Sequence, residues 1–207
     1  QELGSNLSGA TVAIQCTGGT YTTMTTTDVS GNAAVFAAGV PAGANCADGE
    51  SIDVRVTLAG YVTKTVTAIG TYATGSQNTF NVTNVLFTYR MDLVTNELGG
   101  DIMPTSGTPW TASGGLTMAT QAYSTGKWYL ALSGTGNLAF DLDGYVRANL
   151  TATPSASAQT TDSNFFDIPF SHKVVIKDEL GNALTPTTVT AGASNTSCTV
   201  SGAAAYC

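Results

Sequence analysis

Short runs that alternate apolar with polar side chains, or are rich in β-branched ones, recur along the chain, bounded by Gly, Asn or Pro. Thr11–Cys16, Ser51–Leu58, Val62–Ala68 and Thr79–Val85 read this way in the first part. Lys127–Ser133, Leu138–Leu142, Val146–Thr153 and Phe165–Phe170 do so further on. A period of two puts successive side chains on opposite faces of a pleated strand, so these runs predict half-buried β-strands. Lys173–Lys177 predicts one more, with Val174 and Ile176 on one face. No stretch keeps apolar residues three and four apart between a cap and a stop, which leaves no predicted helix. Ser30-Gly31-Asn32 and Thr125-Gly126-Lys127 separate strand-like runs, where glycine supplies the positive φ of a hairpin turn. Short strands with punctuation every ~8–12 residues predict a β-sandwich architecture.

The pattern repeats. Glu-Leu-Gly, two variable residues and a branched aliphatic occur at Glu2–Leu7, Glu97–Ile102 and Glu179–Leu184, roughly 80 to 95 residues apart, a period suited to one small β-domain each. From Glu2 to Phe36 the first copy aligns without a gap to Glu97–Ala131. Leu58-Ala59-Gly60-Tyr61-Val62 is matched by Leu142-Asp143-Gly144-Tyr145-Val146, and Phe87–Leu93 by Phe170–Ile176. Val200-Ser201-Gly202-Ala203-Ala204 is close to Val29–Ala34. The division expected is 1–86, 87–170 and a partial module over 171–207. Gly39–Gly49, which contains Cys46, has no counterpart in the second module and reads as a surface loop tied back to the Cys16 strand.

Hydrophobic residues make up 43% of the 207 positions, enough for a core in each module. Charged residues reach only 10%, against about a quarter in ordinary domains; Thr-covered strands fit such a surface. A net charge of −7 with seven scattered Lys and Arg argues against nucleic acid, which is held by clustered cations. No apolar run approaches the ~18 residues of a membrane helix. Gln1 without a preceding Met suggests a processed N-terminus. The four cysteines form two sequence-local pairs, and Cys16–Cys46 with Cys198–Cys207 is the simplest of three connectivities. Bridged, they imply an oxidising, extracytoplasmic location; four buried thiols are the alternative.

Gly9-Ala10-Thr11-Val12, Thr27-Asp28-Val29-Ser30-Gly31 and Thr57–Val66 resemble the transthyretin-like, carboxypeptidase-regulatory class of small Ig-like β-sandwich. Val174–Leu184 resembles the same opening. The second module departs most, since Pro104–Gly115 replaces the clean alternation of the first strand. The resemblance implies tandem modules of the kind found on microbial surface proteins. Each complete module is expected to open with the strand of Phe87–Val94 or Phe170–Lys177. Module one has only Gln1 before Glu2, and module three carries the opening without the remainder. An unfinished sandwich attracts an added strand. The expectation is therefore a fibre subunit joining other copies of itself head to tail, with Phe170, Val174, Val175 and Ile176 in the contact. A fragment of a tandem stalk or adhesin, and a carbohydrate-binding module, are the alternative readings.

Chemistry-bearing residues are sparse. His172 sits beside Lys173 on a predicted strand with no nucleophile motif, so neither a catalytic residue nor a cofactor is expected. Asp28–Asn32 and Asp141–Gly144 lack the acidic density of an EF-hand, and turn chemistry explains both. Absence of Cys-x-x-Cys and Cys-x-x-Cys-His argues against zinc and c-type haem. An intramolecular Lys–Asn bond through Lys173 or Lys177 is not a property of the repeat, because Arg90 stands in the Lys173 position. Trp110, Trp128, Tyr123, Tyr129 and Tyr145 could line a glycan-binding face, although core packing is the more frequent role. Asn6, Asn81, Asn149 and Asn195 head Asn-x-Ser/Thr sequons.

Overall fold

The computed structural model describes residues 1–33, 42–73, 81–104, 106–162, 165–191 and 196–207. In the first module β1 (Thr11–Gln15) lies between β2 (Thr22–Thr26) and β3 (Ser51–Thr57), and β4 (Lys64–Thr71) pairs with the far side of β3, all antiparallel. Strand β3 shows the cause plainly: Ile52, Val54 and Val56 are buried while the alternate Asp53, Arg55 and Thr57 face outward. β4 starts two residues later than the pattern predicted and runs three further. It continues because Ala68 takes φ +49 and gives its N–H to Asp53 Oδ1 at 2.8 Å, which absorbs a register shift against β3. The strand expected over Thr79–Val85 is not formed at residues 81–85; positions 79 and 80 lie outside the described residues.

Part of the extra loop is described. A 3₁₀ turn, Ala42–Ala44, lies against the end of β1: Cys16 N–H reaches Ala44 O and Thr20 N–H reaches Gly43 O, both at 2.9 Å. The Cys16–Cys46 disulfide fixes this arrangement across 30 residues of sequence, adding about 3–4 kcal/mol by restricting the unfolded chain.

The second module contains β5 (Tyr89–Met91), β6 (Val94–Asn96), β7 (Trp110–Ser113), β8 (Thr117–Ser124), β9 (Lys127–Ser133), β10 (Gly136–Phe140), β11 (Ala148–Ala152), β12 (Thr160–Asp162) and β13 (Phe165–Ile168). One sheet runs β12-β5-β9-β8 and a second β11-β10-β7. Trp128, Leu130 and Leu132 from the first meet Trp110, Leu138 and Phe140 from the second in one buried cluster, a sandwich-like core. β8 and β9 form a hairpin through Thr125 (φ +49) and Gly126 (φ +78), the two positive-φ positions of a type I′ turn. β12 runs parallel to β5, and β13 parallel to β6 with Phe165 opposite Val94.

Five consecutive residues of β9, Trp128–Leu132, are buried. Their even-numbered side chains enter the second core, whereas Tyr129 and Ala131 on the opposite face join the first. The first core thus draws on Phe87, Tyr129 and Ala131, from beyond the expected boundary at 86. A strand covered on both faces reads as an unbroken apolar run, which is what the sequence shows there.

The third module has β14 (Lys173–Val175), β15 (Thr190–Ala191), β16 (Thr196–Ser197), β17 (Thr199–Ser201) and β18 (Ala204–Tyr206). β14, β18 and β17 form an antiparallel sheet in that order, and Cys198–Cys207 is bridged. Among the described residues its buried apolar side chains are Ala204, Ala205 and Tyr206. No α-helix occurs among the described residues, and no helix is long and apolar enough to cross a membrane.

The modules meet through a joint that is built twice. Phe87 lies 4.9 Å from the Tyr61 ring and 5.9 Å from Tyr129; Phe170 lies 4.9 Å from Tyr145 and 5.4 Å from Tyr206. Isolated bridges join Tyr61 to Phe87 and Tyr145 to Phe170. The next residue carries a hydroxyl in both copies. Thr88 Oγ1, fully buried, donates to Leu132 O (2.7 Å) or Gly60 O (3.1 Å) and accepts from Leu132 N–H (3.0 Å). Ser171 Oγ, which is exposed, donates to Cys207 O at 3.1 Å. Gly60, at φ +85, approaches Ala131 so closely that an added Cβ would stand 2.8 Å from it.

Two predictions follow from this packing. Thr88→Val keeps the shape but takes the hydroxyl away from the buried Leu132 N–H and C=O, while Gly60 O keeps the Thr88 N–H. Urea denaturation should therefore show a loss of about 1–3 kcal/mol, with Thr88→Ser losing less. Tyr89, whose hydroxyl donates to Asp162 Oδ2 at 2.9 Å, is held well above its ordinary 10.0 by burial first and then by that carboxylate. Tyr61 is raised by burial and by Glu2. The unfolded chain releases these protons near pH 10 and the folded one does not, so stability is complete below that pH and falls above it. The urea midpoint followed from pH 8 to 11 should drop at the alkaline end, less steeply in Tyr89→Phe.

Candidate self-association interface

The three Glu-Leu-Gly copies adopt one local geometry. In each, the glycine is at positive φ (Gly4 +81, Gly99 +77, Gly181 +84) and its N–H returns to the carbonyl three residues earlier. In the second and third copies an Asx side chain precedes the motif and organises it. Asn96 Oδ1 accepts from Leu98 and Gly100 N–H, and Asp178 Oδ1 from Leu180 and Asn182 N–H, all within 3.0 Å. The Asp178 carboxyl is held below its usual 3.8, first by the Asn182 side chain and then by these amides.

The motif glutamate then clasps the exit of its own module. Glu2 N–H bonds Val85 O at 3.0 Å, and Glu2 Oε1 accepts from Phe87 N–H at 2.7 Å and from Gln159 Nε2 at 2.8 Å. Glu97 repeats the arrangement on the next exit: its N–H bonds Ile168 O at 3.1 Å and its Oε1 accepts from Phe170 N–H at 3.2 Å. Glu179 is exposed and makes no such bond among the described residues. Two clasps are closed and the third is open.

The sheet around it is open as well. β5 is bonded on one edge by β9 and on the other by β12; among the described residues β14 is bonded only by β18, as the edge strand of its sheet. The registers correspond, with Arg90 opposite Tyr129 and Lys173 opposite Tyr206, so β14 and β18 reproduce β5 and β9. Lys173 Nζ sits 5.1 Å above the Tyr206 ring. Near the open edge Val174, Val175, Leu180 and Leu184 are 45, 52, 82 and 46% exposed. In the second module the counterpart of Leu184, Ile102, is buried, while that of Leu180, Leu98, is 39% exposed.

Of the residues expected in a contact, Val174 and Val175 are exposed and Ile176 is half-buried. Phe170 departs from that expectation: it is committed within the chain, between Tyr145 and Tyr206, because the joint needs an aromatic wedge there. Cys16, Cys46, Cys198 and Cys207 form the two expected bridges, consistent with an oxidising environment. Asn6, Asn81 and Asn149 are exposed, and Asn195 lies outside the described residues. Trp110 and Trp128 are buried in the second core and Tyr129 in the joint, so these three cannot line a glycan-binding face. His172 is exposed, with Nδ1 3.1 Å from Ser171 Oγ, whose proton can instead go to Cys207 O. Among the described residues no group of three His, Cys, Asp or Glu could hold a metal ion. The Asp28 carboxylate is taken up by Ser30 and Asn32 N–H.

Two shallow clefts adjoin the first joint, about 360 and 160 Å³, lined chiefly by Thr, Leu, Ala, Gly and Tyr61. They offer no acid–base pair. Pattern reading missed the roles of Glu2, Glu97, Leu180 and Leu184; the triple motif itself was the signal that could have found them. No protein-family model, curated protein or solved structure matches the chain.

The closed and open clasps should respond differently. Glu2→Ala removes an acceptor shared by two donors and should cost about 1.5–2 kcal/mol, with faster exchange of the Phe87 amide. Glu179→Ala should leave the urea midpoint of the monomer unmoved. Equal losses at both sites would show that the third motif is satisfied within the chain.

Proposed function

We propose that this chain is a structural subunit of an extracellular filament or pilus-like surface fibre, whose copies join head to tail by β-strand addition. The observation that carries the reading is the bare edge of β14, a strand whose counterpart β5 has a partner on each side. Exposed Val175 and Leu180 beside that edge add apolar surface which a docking copy would remove from water. The end that docks differs from the end that receives, so the contact is heterologous and propagates into a filament instead of closing a ring of two. Transthyretin-like modules stiffened by disulfides and rigid aromatic joints suit a load-bearing thread outside the cell. Catalysis has no foothold in this reading: the exposed Ser171–His172 pair lies away from both clefts.

A longer tandem stalk would fill the same edge from its own continuation, and the size distribution separates the two. Concentrated full-length chain should form filaments under negative stain and run as a mass ladder in light scattering. Deleting 171–207 should leave monomers, and Val175→Glu with Leu180→Glu should leave monomers of unchanged melting temperature. Filaments that survive both changes would remove the proposal.

A further inference from the structure

We propose that the open edge beyond β14 pairs in parallel with Asn81–Asn84 of a second copy, Ile176 lying opposite Val82. This rests on the head-to-tail reading above and names the strand that does the joining.

The template is inside the molecule. In the second module the opening edge is completed by a parallel segment close to the module's exit, with Phe165 opposite Val94. Ile176 stands where Val94 stands. Each gives its carbonyl to the residue that ends the following Glu-Leu-Gly motif, Ile102 N–H to Val94 O and Leu184 N–H to Ile176 O, both at 2.9 Å. The bridges Thr95–Asp101 and Lys177–Ala183 confirm the same offset one residue later. Val82 stands where Phe165 stands, each five residues before the phenylalanine of its joint.

Among the described residues neither half has its mate. Asn81–Asn84 enters no strand among the described residues, and Asn81, Thr83 and Asn84 are exposed. Gln1 and Glu2 come closest to supplying an opening strand there, but Glu2 bonds Val85, Phe87 and Gln159 and none of residues 81–84. Along the opening edge of the third module no exit segment lies among the described residues. An edge and a segment without strand partners among the described residues are the two sides of the pairing seen complete between β6 and β13. The edge belongs to the third module and the segment to the first, and one copy's edge meets the next copy's segment. Pairing ends before Glu179, because the neighbour's Glu2 already holds the Phe87 amide.

Val82→Cys combined with Ile176→Cys should oxidise into a covalent ladder on non-reducing gels, while Val82→Cys with Leu180→Cys, out of register, should not. Amide exchange on the unmodified protein covers the case in which added thiols disturb the native bridges. Amides of residues 81–83 and 174–177 should exchange about tenfold slower in concentrated than in dilute samples, as a bond worth ~1.4 kcal/mol requires. A polymerising wild type with no ladder and no protection at 81–83 overturns this pairing and leaves head-to-tail growth standing. A cross-link confined to fast-migrating monomer overturns it in favour of closure within one chain. A wild type that stays monomeric at every concentration removes the head-to-tail reading itself.

Discussion

The wedge of one phenylalanine ring between two tyrosines is the contact on which the rest of the architecture depends. Phe87 and Phe170 each leave one module and enter the next, and each is gripped by a tyrosine from both sides. Tilted aromatic pairs at these separations add a directional term to plain area burial. At the first joint the Thr88 hydroxyl then satisfies backbone groups that the close approach removes from water. A connection of this kind resists bending, because rotating one module lifts a ring from its slot and breaks a buried hydrogen bond together.

With the joints set, the glutamate clasp decides where a module ends. It ties the first turn of a module to the backbone just before the next phenylalanine, across 85 residues of sequence in the first copy and 73 in the second. A long closure of that sort is costly in chain entropy and rewards only a folded module. The third motif has its turn preorganised by Asp178 but clasps nothing. Its sheet buries little beyond two alanines and a tyrosine, while the second module buries two tryptophans and several aliphatics. Such a difference makes the third module dependent on whatever covers its edge.

Four carboxylates are taken up by turns and clasps: Asp28 and Asp178 by backbone amides, Glu2 and Glu97 by strand exits. Asp92 pairs with Arg90 at 2.7 Å and with Lys127 at 3.5 Å on the outside of the β5–β9 pair, which is worth little in stability but helps fix cross-strand register.

The sequence by itself determined the all-β class, the repeat and its landmarks, because period-two alternation, glycine turns and recurring motifs are local properties. Lys127–Ser133 was legible to the residue, being an unbroken apolar run between two turn signals. β2 and β8 were not, since their Thr-rich runs carry little contrast between faces. Tertiary structure alone decided that Tyr129 faces the first core and Trp128 the second, that Phe170 is spent within the chain, and that Glu2 and Glu97 reach partners far along it. Alternation tells which side chains share a face. It does not tell which other face they meet, for that is fixed by how distant strands pack and by which backbone groups are left to satisfy.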